Sequence, residues 1–252
     1  MKSEIDALNL NSKANPQTLY CIGVGPGDPE LLTLKAINLL RSVNCLAVPQ
    51  VEPNQPGLAQ QIVESLLPAG TTTPKLLPLL FPMTRDADVR ETHHRKAAED
   101  IIDMLDAGQS VAMVTIGDPT IYSTCFYVKH KVEDKGFAVE VVPGITSITA
   151  AASKAGIALS EQKESIQIIP GVSTFDDIKV ALVDPRVQTL VVMKAGKIIH
   201  DLRDLMSTTE LVNEAVVVSR LGFADEVIKS VETTTDEEKW PYFTTVIIKK
   251  KN

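Results

Sequence analysis

The stretch Leu19-Tyr20-Cys21-Ile22-Gly23-Val24-Gly25-Pro26-Gly27-Asp28-Pro29 reads as a buried strand that runs into a tight turn and a helix start. Its apolar run has no polar face, as expected of a strand covered on both sides. Asp28 is a good helix cap because its carboxylate accepts hydrogen bonds from the free amides of the first turn. Pro29 has no amide to leave unbonded and already holds a helical φ. Glycine before the cap lets backbone or ligand approach closely. Two further places repeat the design, Gly117-Asp118-Pro119 and Pro143-Gly144-Ile145-Thr146-Ser147. In each the spacing predicts a helix that begins at once. All three turns fall at the carboxyl ends of strands, where open α/β sheets place their ligands. Helix amino-termini there suit an anionic group such as a ligand carboxylate.

Outward from these turns, apolar strands alternate with amphipathic helices. Strands are read at 19–24, 44–48, 110–115 and 138–142, and helices at 31–41, 57–67, 88–107 and 121–134. The segment 71–84 contains Pro74, Pro78 and Pro82, so it holds only short edge structure. This alternation indicates a mostly parallel sheet. The second half places helices at 145–155, 175–183 and 198–206 and strands at 165–169, 189–193, 215–219, 227–231 and 242–249. The last two strands have no room for a helix between them, which predicts an antiparallel pair and a mixed second sheet. The expected fold class is α/β with two α/β domains. Residues 1–18 form a flexible arm, 19–136 a domain with a mostly parallel sheet, and 137–252 a domain with a mixed sheet.

The 252 residues are 44% hydrophobic, enough for a sizeable core. Lys and Arg number 25 against 32 Asp and Glu, a formal net charge of -7. An acidic chain argues against nucleic-acid binding, which needs a basic face to displace counterions, but not against an anionic small molecule. Cys21, Cys45 and Cys125 share no metal-ligand spacing, and an odd number makes a poor disulfide framework. The polar residues 1–17 lack the apolar stretch of a signal peptide, and no run is long enough to span a bilayer. A reducing, cytoplasmic setting with no membrane partner is expected.

Several chemistries lack their residues. The dinucleotide pattern G-x-G-x-x-G fails because the third glycine of Gly23, Gly25 and Gly27 comes one position early, and 44–48 carries no acid. A phosphate-cradling Gly-Lys-Ser/Thr loop is absent, as is the G-x-S-x-G elbow of hydrolases. His93 and His94 stand side by side on a helix and do not face the same way, so a solvated helix face is expected and no metal site.

Taken together, the chain from Leu19 onward resembles the tetrapyrrole methylase family. The residues that carry the likeness are GVGPGDPELLTLKA from Gly23, FPMT from Phe81, GDPTIYST from Gly117, VPGITS from Val142 and PYFT from Pro241. The FPMT and Pro-Tyr-Phe segments are similar to the branch that methylates C20 of precorrin-2 or cobalt-factor II. The resemblance implies a homodimer of two-domain subunits that binds S-adenosyl-L-methionine between its domains and releases S-adenosyl-L-homocysteine. It implies cofactor contacts from Pro26, Ile116, Gly117, Asp118, Ile121, Thr146, Ser147, Met193 and Leu221. The glycine-rich first turn, with Gly25, Gly27 and Asp28, is implied to floor the tetrapyrrole trough together with Arg85 and Tyr122. Thr115-Ile116 stands where relatives taking metal-free precorrin-2 often have Glu, which points to the cobalt-bearing substrate of the anaerobic route.

Methyl transfer from a sulfonium is a direct displacement, so placement of the acceptor carbon is the main task, with no metal or nucleophile required. A base must remove a proton afterwards, and Tyr122 and Asp118 are the candidates. Lys35, Arg85, Arg90, Arg95 and Arg220 are the basic residues available to pair with substrate carboxylates. The alternatives are metal-free precorrin-2 as substrate, a methylase of the same fold with a protein substrate, as in diphthamide synthesis, and a non-enzymatic ligand-binding α/β protein.

Overall fold

The computed structural model describes residues 12–66, 74–171 and 175–251. It divides into two compact units, the first ending at Thr146 and the second beginning at Ser147. The first unit contains strands β1 (Thr18–Gly23), β2 (Cys45–Gln50), β3 (Lys75–Leu80), β4 (Val111–Thr115) and β5 (Ala138–Val142). Its helices are α1 (Leu34–Leu40), α2 (Leu58–Glu64), α3 (Ala87–Asp106) and α4 (Cys125–Glu133). The sheet order is β3-β2-β4-β1-β5, and every pairing is parallel.

β1 and β4 are the buried centre, with Leu19, Cys21 and Ile22 on one and all of Val111–Val114 on the other fully enclosed. Alternation along the strands sends Leu19, Cys21, Cys45, Ala47, Val111 and Met113 to one face, where they pack with Ala98, Ile101 and Leu105 of α3 and Val128 and Val132 of α4. The β1-to-β2 connection leads toward one edge of the sheet and the β4-to-β5 connection toward the other. The sheet therefore has a topological switch point between β1 and β4, the place where open α/β sheets form their ligand crevice. β3 is an edge strand that accommodates Pro78 as the proline count suggests, while 67–73 lie outside the described residues.

The domain boundary predicted at residue 136 is corrected by the pairing of Thr18–Ile22 with Ala138–Val142, which makes β5 an integral strand of the first sheet. The 1–18 arm is only partly within the described residues. Where it is described, it is docked: the Ala14 amide donates to Ser42 Oγ at 2.9 Å and the Asn15 amide to Tyr20 Oη at 2.8 Å.

The second unit holds α5 (Ser147–Ala155), β6 (Ile166–Pro170), α6 (Phe175–Val183), β7 (Thr189–Met193), α7 (Ile199–Ser207), β8 (Val212–Ser219), β9 (Val227–Ser230) and β10 (Thr244–Lys250). The sheet order is β6-β7-β10-β8-β9, with β6 and β7 parallel and the remaining pairs antiparallel. The sheet is mixed as expected, but the expected partnership of the last two strands is not formed. β8 lies between them and pairs antiparallel with each. One face buries Leu190, Val192, Val217, Val246 and Ile248 against Ile178 and Leu182 of α6 and Ile199 and Leu202 of α7.

Candidate functional site

The carboxyl ends of β1, β4 and β5 meet backbone to backbone. A Cβ added to Gly23 would lie 2.5 Å from the Gly117 carbonyl oxygen and 2.7 Å from the Gly144 nitrogen. One added to Gly144 would lie 2.2 Å from the same Gly117 oxygen. The Gly117 amide donates to the Gly25 carbonyl at 2.7 Å, and the Val24 amide to Thr115 at 2.9 Å. The three glycine turns singled out in the sequence are thus one interlocked structure.

Asp28 accepts from the Glu30 amide at 2.9 Å and caps only a short 3-10 turn, Pro29–Leu31, and Thr33 caps α1. The helix predicted from 31 is correspondingly late. Pro26, Gly25 and Gly27 are buried and Asp28 half-buried.

Asp118 does not cap a helix. Its Oδ1 accepts from the Thr120 amide at 2.8 Å and the Thr120 hydroxyl at 2.5 Å, and its Oδ2 accepts from the Gly144 amide at 3.0 Å. Burial alone would raise this carboxyl, but the three hydrogen bonds outweigh it and hold the group below the usual carboxylate range. The helix predicted from 121 begins only at Cys125, because 118–124 form the loop that Asp118 organises. Ser123 fastens the far end of that loop, donating to Thr115 Oγ1 at 3.0 Å while accepting from the Cys125 amide at 3.1 Å.

Between these fixtures stands Tyr122, with φ 49° and 45% of its surface exposed. A left-handed aromatic residue carries backbone strain that its surroundings must hold, a situation that concentrates at functional sites. The exposure leaves nearly half of the side chain open to a ligand. Ile116 and Ile121 are half-buried, Gly117 has φ 73° and is buried, and Thr146 closes the first unit, half-buried.

The second unit has its own edge of irregular backbone. Met193 ends β7 buried, and Lys194 follows at φ 59°. Ser219 ends β8 and Arg220 follows at φ 49°. The Arg220 amide donates to the Phe243 carbonyl at 2.9 Å, and Ser219 and Thr244 share a hydroxyl–hydroxyl contact of 3.0 Å. The Lys194 ammonium lies 5.2 Å from the Tyr242 ring centroid, and Tyr242 meets Phe243 edge-on at 5.3 Å. Leu221 is buried at the same edge, and Ser147 is the first residue of α5. Lys194 and the Asp118–Gly144 bond were not identified from sequence, whereas Tyr242 lies in the Pro-Tyr-Phe segment that was. A left-handed lysine leaves no local signal, since the surrounding chain imposes it.

The five basic residues proposed for substrate carboxylates separate clearly. Lys35 pairs with Glu140, Arg95 with Glu99 at 3.9 Å and Arg220 with Asp225 at 2.5 Å. Arg90 donates to the carbonyls of Thr84 and Arg85 at 3.3 and 2.8 Å. The Arg85 side chain forms no ion pair among the described residues and is exposed on the loop between β3 and α3. It stands apart in sequence from the glycine turns.

His94 corrects the solvated-face expectation. It is 7% exposed, stacked on Tyr127 at 4.6 Å and tilted against Phe81 at 5.8 Å. No group of His, Cys, Asp or Glu among the described residues is placed to hold a metal ion. No described helix is long and apolar enough to cross a membrane.

A parallel sheet with three glycine loops at its switch point, joined in sequence to a mixed α/β sheet, is the architecture of the tetrapyrrole (corrin/porphyrin) methylases. The chain belongs to that family, whose sequence pattern it matches over residues 18–237. It is 31% identical over 236 residues to a probable cobalt-precorrin-2 C(20)-methyltransferase of Methanocaldococcus jannaschii, covering 92% of this chain and 96% of that one. It is 29% identical over 238 residues to the precorrin-2 C(20)-methyltransferase of a Sinorhizobium species, covering 91% and 94%. Among solved structures, a uroporphyrin III C-methyl transferase of Thermus thermophilus shares the fold with a TM-score of 0.66 at 25% identity, covering 92% of this chain and 97% of that one. A structure of that Thermus enzyme also exists in complex with S-adenosylhomocysteine.

Proposed function

We propose that this chain is an S-adenosylmethionine-dependent methyltransferase that methylates C20 of the cobalt-bearing tetrapyrrole cobalt-factor II. The observation that carries the reading is the likeness to two C(20)-methyltransferases over more than nine-tenths of the chain. Support for the cobalt-bearing substrate comes from Thr115-Ile116 ahead of the Gly-Asp-Pro turn. Metal-free precorrin-2 is the second reading, favoured by the Sinorhizobium relative.

The strand-end loops suit a cofactor without phosphate. The site of a Cβ on Gly25 faces the Leu31 carbonyl at 3.1 Å, and that on Gly23 faces Gly117, so these glycines serve close chain packing rather than an open anion cradle. The residues proposed to hold the cofactor are Pro26, Ile116, Gly117, Asp118, Ile121 and Thr146 in the first unit and Ser147, Met193 and Leu221 in the second. When bound, the cofactor supplies a methyl group already activated on a sulfonium. The chain's task is then positioning, worth effective molarities on the order of 10⁵ M or more. Interlocked backbone at Gly23, Gly117 and Gly144 suits that task because it resists displacement. Tyr122, exposed and fixed at both ends of its loop, is the proposed relay for the proton leaving the methylated carbon, its hydroxyl passing its own proton to solvent as it takes that one. Gly25, Gly27 and Asp28 are proposed to floor the trough, and Arg85 to pair with a substrate carboxylate. A homodimer and a cytoplasmic setting complete the proposal, the latter supported by three free, buried thiols.

The test is calorimetric binding of S-adenosylhomocysteine, then methyl transfer to cobalt-factor II and precorrin-2 in parallel. Cofactor binding with turnover of the cobalt compound alone supports the full reading. Turnover of precorrin-2 alone moves it to the metal-free substrate, and folded protein that binds no cofactor ends it.

A further inference from the structure

The Asp118 carboxylate joins two loops that leave different strands. One oxygen organises its own loop by accepting from the Thr120 amide and hydroxyl, and the other accepts from the Gly144 amide at 3.0 Å, across from β4 to the turn after β5. Its side chain is half-buried at the meeting of Gly23, Gly117 and Gly144. A carboxylate serving as a base needs a lone pair aimed at substrate and a neutral form that is not too costly. Here three donors already point at the two oxygens, and each favours the charged form. The loops it joins contain Ile116, Gly117 and Ile121 on one side and Thr146 on the other.

We infer that Asp118 is a positioning residue: its ionised carboxylate fixes the 143–146 turn against the 117–121 turn and so sets cofactor affinity, without taking a proton in the reaction. This replaces the sequence-derived expectation that Asp118 is a candidate base, and it rests on the proposed methyltransferase reading. The fixation is directional. An amide in place of the carboxylate can still accept from Thr120 through its oxygen, but it then turns an N–H pair toward the Gly144 N–H.

The experiment compares the parent protein with Asp118→Asn and Thr120→Val. Three quantities are read: S-adenosylhomocysteine affinity by calorimetry, kcat and KM for the cofactor, and hydrogen exchange of the Gly144 amide. Losing a hydrogen bond to a charged group predicts cofactor affinity weakened roughly tenfold to hundredfold in Asp118→Asn, with kcat at saturating cofactor within about threefold of the parent. Gly144 exchange should quicken in the same variant. Thr120→Val keeps the Gly144 bond, so its exchange there should stay near the parent's and its affinity loss should be smaller. If Asp118→Asn does not fold, Asp118→Glu, which keeps the charge but moves it one methylene away from the Gly144 amide, takes its place, and parent-like cofactor affinity with quickened Gly144 exchange there overturns the inference. A kcat loss of a hundredfold or more in Asp118→Asn, with cofactor affinity unchanged, overturns it in favour of a base. Unchanged Gly144 exchange in that variant also overturns it. A parent protein that binds no S-adenosylhomocysteine instead defeats the methyltransferase reading, and the Gly144 exchange still reports on the loop tie.

Discussion

The imidazole of His94 and the phenol ring of Tyr127 lie parallel, 4.6 Å between centroids and 6° between planes. The stack fastens α3 to α4 on the face of the first sheet that carries Leu19 and Cys21. Burial holds the His94 pKa below its ordinary value, against the pull of Glu91 and with help from Lys131, Arg90 and His93. A depressed histidine contributes stability fully above its unfolded value, about 6.5, and loses it as pH falls from there toward the folded value. Thermal unfolding between pH 7.5 and 5.5 should therefore show the parent losing stability faster than His94→Phe, which keeps a ring in the stack and carries no proton. Parallel slopes would contradict this.

Gly144→Ala should destabilise by about 1–3 kcal/mol, because its Cβ meets the Gly117 carbonyl and backbone cannot yield as a flexible side chain can. Gly23→Ala meets the same oxygen. The two substitutions should be non-additive, the double variant costing less than the sum, since one shift of Gly117 relieves both. Urea denaturation of the three variants measures this.

Arg85→Ala should raise KM for the tetrapyrrole roughly tenfold to hundredfold, the size of a lost charge-assisted hydrogen bond. Calorimetric affinity for S-adenosylhomocysteine should not change. Arg95→Ala, on a residue paired only loosely with Glu99, provides the comparison and should leave both quantities near the parent's.

Tyr122 carries two separable properties, a strained backbone and an exposed phenol. Tyr122→Asn places a residue that tolerates the left-handed region and should hold or slightly raise the melting temperature while methyl transfer falls. Tyr122→Phe removes only the hydroxyl. If the hydroxyl relays the proton to solvent, kcat should drop by about 10²–10⁴ with cofactor affinity unchanged.

Elements decided by local pattern were legible in the sequence. The helix Phe175–Val183 and the strand Thr189–Met193 occupy their predicted bounds because apolar period and flanking polar residues agree there. The three glycine turns were found for the same reason. What the sequence concealed was decided over long separations. The Asp118-Pro119 pair looks like a helix cap, yet its carboxylate is claimed by Gly144, 26 residues away. β8 captures both late strands, and no local pattern records which partner a strand with a short connection will take. The charged pattern around His94 reads as solvated, but Tyr127 from the next helix and Phe81 from just past the end of β3 cover it.

The position of β4 in the sheet, between β1 and β2, also governs how the chain is made. As the protein leaves the ribosome, β1 and β2 emerge first, yet they must not zip together, because the slot between them belongs to a strand that ends at Thr115. At ordinary synthesis rates that strand follows β1 by about 5–20 s. Throughout that interval two apolar strand edges stand open. The nascent amino-terminal half should for that reason engage holding chaperones until β4 arrives, and early truncations that lack β4 should aggregate.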